Sequence, residues 1–99
     1  MKMIVSVKES PHGLIVVVTD KMIMGNVYSE GKVRLDFTKD FYQGKEESAE
    51  KIKELMREAR HLHLSGKQAV NLGIELNLVD KNKILRVKCI PHAEVVVGG

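Results

Sequence analysis

The chain has 99 residues, with 16 Lys or Arg against 13 Asp or Glu, two Phe, two Tyr and a single cysteine. That length supports one domain, residues 1–99, around a single modest core, and no repeat, low-complexity tract or Pro-Gly-Ser linker divides it. The lone Cys89 excludes an intramolecular disulfide and fits a reducing cytoplasm, and the longest apolar run, residues 14–18, is far short of the roughly 20 residues a membrane-spanning helix needs. The expectation is a cytoplasmic protein with no membrane segment and no export signal. The many Lys and Glu side chains fit a thermophile source.

From the N-terminus, residues 3–8 alternate apolar and polar, Pro11-His12-Gly13 interrupts, and residues 14–19 form a continuous apolar run. This pattern predicts a β-hairpin with a loop of about five residues, its second strand central in a sheet. Asp20 is placed to cap a single helical turn closed by Gly25. Val33, Leu35 and Phe37 then alternate with Arg34 and Asp36, the clearest strand pattern in the chain, preceded by a turn at residues 29–32.

Residues 48–79 read as two consecutive helices. Ala49, Ile52, Leu55, Met56, Ala59, Leu62 and His63 recur at three- and four-residue spacing, so the first helix runs from an N-cap at Ser48 through His63. Ser65 and Gln68 make a capping-box pattern for the second, and Asn77 suits the left-handed residue that closes it. Gly73 within that helix implies a close approach by another backbone. A strand over 84–90 follows, with Cys89 in the core beside Leu85 and Val87. Pro91 ends it, and residues 94–97 add a short edge strand. Strands, two helices, then strands predict an α+β fold: a two-layer sandwich with a mainly antiparallel sheet and both helices packed on one face.

Four segments carry a family resemblance: Asp20-Lys21-Met22-Ile23-Met24-Gly25, Phe41-Tyr42-Gln43-Gly44, Leu76-Asn77-Leu78-Val79-Asp80 and Ile90-Pro91-His92-Ala93. Together, in this order and spacing, the chain resembles the archaeal domain-of-unknown-function 424 family over nearly its whole length. The resemblance implies an archaeal cytoplasmic protein, associates it with translation, and supplies no catalytic residues to carry over.

Charge points to a partner class. Residues 1–59 balance ten basic against ten acidic side chains, whereas residues 60–99 hold six basic against three acidic. Arg57, Arg60, His61 and Lys67 lie near the helix junction, and Arg86 and Lys88 share a strand. A positive surface formed by these six residues would bind RNA, a ribosomal particle or a translation protein. The alternative is a small-ligand or catalytic cleft built from the family segments: Asp20, Gly25, Phe41, Tyr42, Gly44, Pro91 and His92, with His92 as general acid or base and Asp20, Asp40 or Tyr42 as its partner. Cys89 and His92 with His61 and His63 fall short of the four paired ligands of a structural zinc site, so neither metal nor cofactor is expected. The Gly98-Gly99 terminus resembles that of ubiquitin-like and sulfur-carrier proteins, but the two central helices do not match their single-helix pattern.

Overall fold

In the computed structural model, which describes residues 2–97, the chain folds as an α+β protein on one six-stranded, mainly antiparallel sheet. Strands β1 (Met3–Ser10) and β2 (Gly13–Asp20) form a hairpin, and β2 is central as its apolar run implies. The turn is tighter than expected: Ser10 pairs with Gly13, leaving only Pro11 and His12 between the strands. A 3-10 turn, Lys21–Ile23, leads into a separate hairpin of β3 (Val27–Glu30) and β4 (Val33–Asp36). A second 3-10 turn, Asp40–Tyr42, precedes β5 (Lys45–Glu47), an edge strand whose charged sequence carries no strand signal of its own.

Helix α1 (Ala49–Glu58) starts as its sequence dictates, with Ser48 Oγ accepting from the Lys51 amide at 3.2 Å. It ends earlier than the apolar stripe suggests. Ala59 is already extended, and His61–Ser65 forms strand β6, parallel to β2 and antiparallel to β8. The two helices are therefore separated by a central strand. Leu62 and Leu64, alternating with His61 and His63, satisfy a period of two as well as the tail of a helical stripe. Pairing on both sides decides between them: the five residues of β6 bury Leu62 and Leu64 fully by lying between β2 and β8.

Helix α2 (Lys67–Glu75) packs on the same sheet face as α1. Its end is a Schellman motif: the Leu78 amide donates to the Gly73 carbonyl at 2.8 Å, the Asn77 amide to Ile74 at 3.0 Å, and Asn77 has φ 59°. Gly73 is crowded by the side chains of Leu64 and Val79 rather than by another backbone.

A 3-10 turn, Lys81–Lys83, leads into β7 (Leu85–Val87), which turns tightly into β8 (Ile90–Val96). The two-residue turn is Lys88-Cys89, both at positive φ, so Cys89 is exposed and not part of the core. Pro91 lies inside β8, opposite Arg86, instead of ending a strand. Directly after a two-residue turn, Val87 and Ile90 form the hydrogen-bonded pair and the next pair forms none, so the missing proline N–H costs this ladder nothing.

The sheet order is β5-β1-β2-β6-β8-β7. Its helix face holds the main core, with Val16, Val18, Ile52, Met56, Leu62, Leu64 and Ala69. Part of the opposite face is covered by the β3–β4 hairpin and the Asp40–Tyr42 turn, around Ile23, Leu35, Phe37 and Val87. No helix among the described residues is long and apolar enough to cross a membrane. The Gly98-Gly99 terminus lies outside the described residues.

Candidate functional site

Cross-strand register builds a polar row on the hairpin side of the sheet. Val17, His63 and Glu94 face one another across β2, β6 and β8, and Thr19, Ser65 and His92 form the next rank. Because paired residues share a face and alternate residues do not, Leu62 and Leu64 can enter the helix-side core while His61, His63 and Ser65 point the other way.

His92 is buried, and its Nδ1 lies 2.7 Å from the buried Ser65 Oγ. Its Nε2 lies 3.4 Å from Glu94 Oε1, a long contact, and the same oxygen is 3.4 Å from His63 Nδ1. An ionised carboxylate only accepts, so Glu94 selects the neutral His92 tautomer with the proton on Nε2, and the Ser65 hydroxyl then donates to Nδ1. The hydroxyl can equally accept from Nδ1 in the other tautomer. The Thr19 hydroxyl beside Ser65 is buried with no hydrogen-bond partner.

The surroundings tune this row. Burial, the dominant cause, holds His63 below the ordinary histidine range; Glu94 offsets part of it, while the neighbouring His92 and His61 add to the lowering. Tyr42 is pushed above the usual phenol range, first by burial and then by the charges of Glu94 and Asp36, so its hydroxyl stays protonated. Its ring packs edge-on against Phe37 at 4.8 Å and Phe41 at 5.1 Å; Phe41 in turn packs on the His63 ring at 5.0 Å and lies under Lys8. His92 and Glu94 line an open cleft of about 390 Å³, whose walls include Arg34, Leu35, Lys83 and Leu85. Arg34 contacts Asp36 at 3.7 Å, whereas Lys83 has no ion pair among the described residues. No group of three or more His, Cys, Asp or Glu among them is arranged to hold a metal ion.

Asp20, Pro91 and His92 converge, but on the junction between β6 and α2 rather than in one cleft. Asp20 is buried, and its two oxygens accept from the Gln68 and Ala69 amides at 3.0 and 2.9 Å. It caps α2, 48 residues away, and neither the turn that follows it nor the Ser65–Gln68 capping box does this work. The Gly66 amide donates to the Pro91 carbonyl at 2.9 Å, and a Cβ on Gly66 would come within 2.3 Å of Asp20 Cγ. Asp20 is therefore structural. Gly25, at φ 80°, joins the first 3-10 turn to the β3–β4 hairpin by donating to the Phe37 carbonyl. Gly44 has no positive φ; a Cβ there would fall 2.1 Å from the Val5 carbonyl oxygen, so glycine is needed for close passage over β1. Phe41 and Tyr42 reach the polar row, and Asp40 is exposed.

The six basic residues do not gather on one surface. Arg57 ends α1, and Arg60 and His61 sit at the start of β6, where the Arg60 guanidinium donates to the Val97 carbonyl at 3.2 Å. Lys67 lies past the other end of that strand, roughly 20 Å away at about 3.3 Å per residue. Arg86 and Lys88 belong to the β7 edge and its turn. The residues that charge counting overlooked are Ser65, His63 and Glu94. Their signal was period-two spacing, His61-x-His63-x-Ser65 and His92-x-Glu94, hidden under a helical reading of the first segment.

A crystal structure of an uncharacterized conserved protein from Methanopyrus kandleri shares this fold, with a TM-score of 0.80 and 17% sequence identity over 98% of this chain and 92% of that one. No functionally curated protein matches the chain. The model of DUF424, described as a protein of unknown function, matches residues 7–97, and the chain belongs to that family.

Proposed function

We propose that the protein binds a small anionic ligand in the cleft over His92 and Glu94, where His92 has the surroundings of a general acid or base. The carrying observation is the row Ser65, His92, Glu94, His63: a buried imidazole held at 2.7 Å on one nitrogen with the other facing a carboxylate at a cleft wall. Burying such a group without purpose is costly, and a core position would be filled more cheaply by an apolar side chain. Lys83 and Arg34 give the same cleft its attraction for carboxylate or phosphate. Ser65 is fully buried, so it positions the ring and does not act as a nucleophile. The expected setting is a reducing cytoplasm, which the exposed, unpaired Cys89 fits.

The test is a titration with inorganic phosphate and with citrate, followed by the histidine ring resonances in nuclear magnetic resonance spectra. A saturable shift of His92, weakened about tenfold in Lys83→Ala, is expected from losing a charged contact. Unmoved His92 resonances at tens of millimolar of both anions would count against the assignment.

A second assignment, contact with RNA, a ribosomal particle or a translation protein, draws support from Arg86 and Lys88, which extend the cations Lys81 and Lys83 along the exposed β7 edge. Binding through several phosphates weakens steeply between low and moderate salt as counterions are released. Co-sedimentation with ribosomal fractions that is absent, or indifferent to salt, would remove it.

A further inference from the structure

A second cleft, of about 500 Å³, is larger than the one over His92 and shares no lining residue with it. It opens between the first 3-10 turn, β3, the start of α2 and the β7–β8 turn, within the size range of small-molecule pockets. Met22, Ile23, Tyr28 and Ile90 give it apolar walls. Two features go beyond an apolar surface. Gln68, on one wall, has a side-chain oxygen that is shielded from water and has no hydrogen-bond partner; such groups are rare in folded proteins and call for a donor. Lys67, at the mouth, is exposed and has no ion pair among the described residues. The amides at the start of α2 are no part of this invitation, because Asp20 already occupies two of them and is itself buried by doing so.

We infer that this cleft is a second binding site, for a small molecule with a flat apolar or aromatic body, one hydrogen-bond donor and one anionic group. The body lies between Tyr28 and the aliphatic side chains, the donor meets the Gln68 oxygen once its carboxamide turns into the cleft, and the anion meets Lys67. Met22, with 79% of its surface exposed, is the outer flap of the apolar wall.

Anilinonaphthalene sulfonate combines an aromatic body, an N–H and a sulfonate, and serves as the probe on the full-length chain. The only cysteine, Cys89, lines the same cleft and reports occupancy through its rate of alkylation by iodoacetamide. The expected result is saturable one-to-one fluorescence enhancement, with Cys89 alkylation slowed at least fivefold at saturation. Met22→Asp and Lys67→Glu, both at exposed positions that leave the fold intact, weaken the dye by about tenfold each by opposing its charge. The neutral parent, anilinonaphthalene, binds several-fold more weakly and still protects Cys89. Dye binding that leaves Cys89 unprotected, or affinity unchanged in both variants, would show that the dye sits elsewhere and overturn the site. Equal affinity for the neutral parent would overturn the anionic part of the ligand, and absence of saturable binding would overturn the whole.

Discussion

The two faces of the central sheet follow different rules. On the helix face, Val16, Val18, Leu62 and Leu64 meet Ile52, Met56 and Ala69 in a continuous apolar layer, and stability there is a matter of volume and contact. One residue further along each strand, the hairpin face carries polar groups: Ser65 and His92 are buried and satisfy one another, Thr19 is buried without a partner, and His63 and Glu94 reach toward solvent. The same strands thus supply a scaffold on one side and a titratable row on the other. A small protein can hold a polar face rigidly when the opposite face carries the packing.

The contrast can be broken most forcefully from the scaffold side. Leu62→Ala should cost about 2–5 kcal/mol in denaturant unfolding, since the side chain is fully buried in the main core on a strand paired on both sides. A loss under about 1 kcal/mol would mean that the helix face is not the principal core. Asp20→Ala comes next, at about 2 kcal/mol, because it strips two charge-assisted bonds from the start of α2. Hydrogen exchange should show the first turn of α2 opening, with α1 unaffected; uniform loss of protection would argue against a local cap.

On the polar face the effects shrink and become chemical. Ser65→Ala leaves His92 Nδ1 buried without its partner, at about 1–2 kcal/mol, and the ring resonances should report a changed tautomer balance. An unchanged ring spectrum would show that Ser65 does not set the state of His92. The smallest effect is a slope. Burial lowers the proton affinity of His63 below its ordinary value of 6.5, so on acidification the unfolded chain takes up this proton before the folded one does. The contribution to stability is complete above about pH 6.5 and disappears as the pH falls through the folded value. Glu94, His92 and His61 are the charged and titratable groups that act on the same ring. In His63→Gln the dependence of unfolding free energy on pH below 6.5 should flatten relative to the parent chain; an identical slope would assign it to another group.

Where local chemistry and tertiary pairing agree, the structure was legible from the residues. Ser48 caps α1, Asn77 closes α2, β1–β2 is a hairpin, Val33–Asp36 is a strand, and the α+β class follows from their order. Where one pattern serves two periods, it was not. Leu62 suits the last turn of a helix as well as a strand, and neither His61 nor His63 carries a preference strong enough to decide. Pro91 reads as a stop because its N–H is absent; only the register opposite Arg86 shows that no bond is missing there.

The amino-acid sequence by itself determined the elements whose signals lie within a few residues of one another: caps, hairpin alternation and the apolar stripe of α1. It also carried the segments that mark the family, and His92 and Tyr42 among them. Tertiary structure alone decided what those residues do, because their partners are distant along the chain. Asp20 became the cap of a helix 48 residues away, and His92 met Ser65 across 27. A side chain's local preference is a matter of its own backbone, but its hydrogen-bond partner is fixed by which strands lie side by side, and that is a property of the whole sheet.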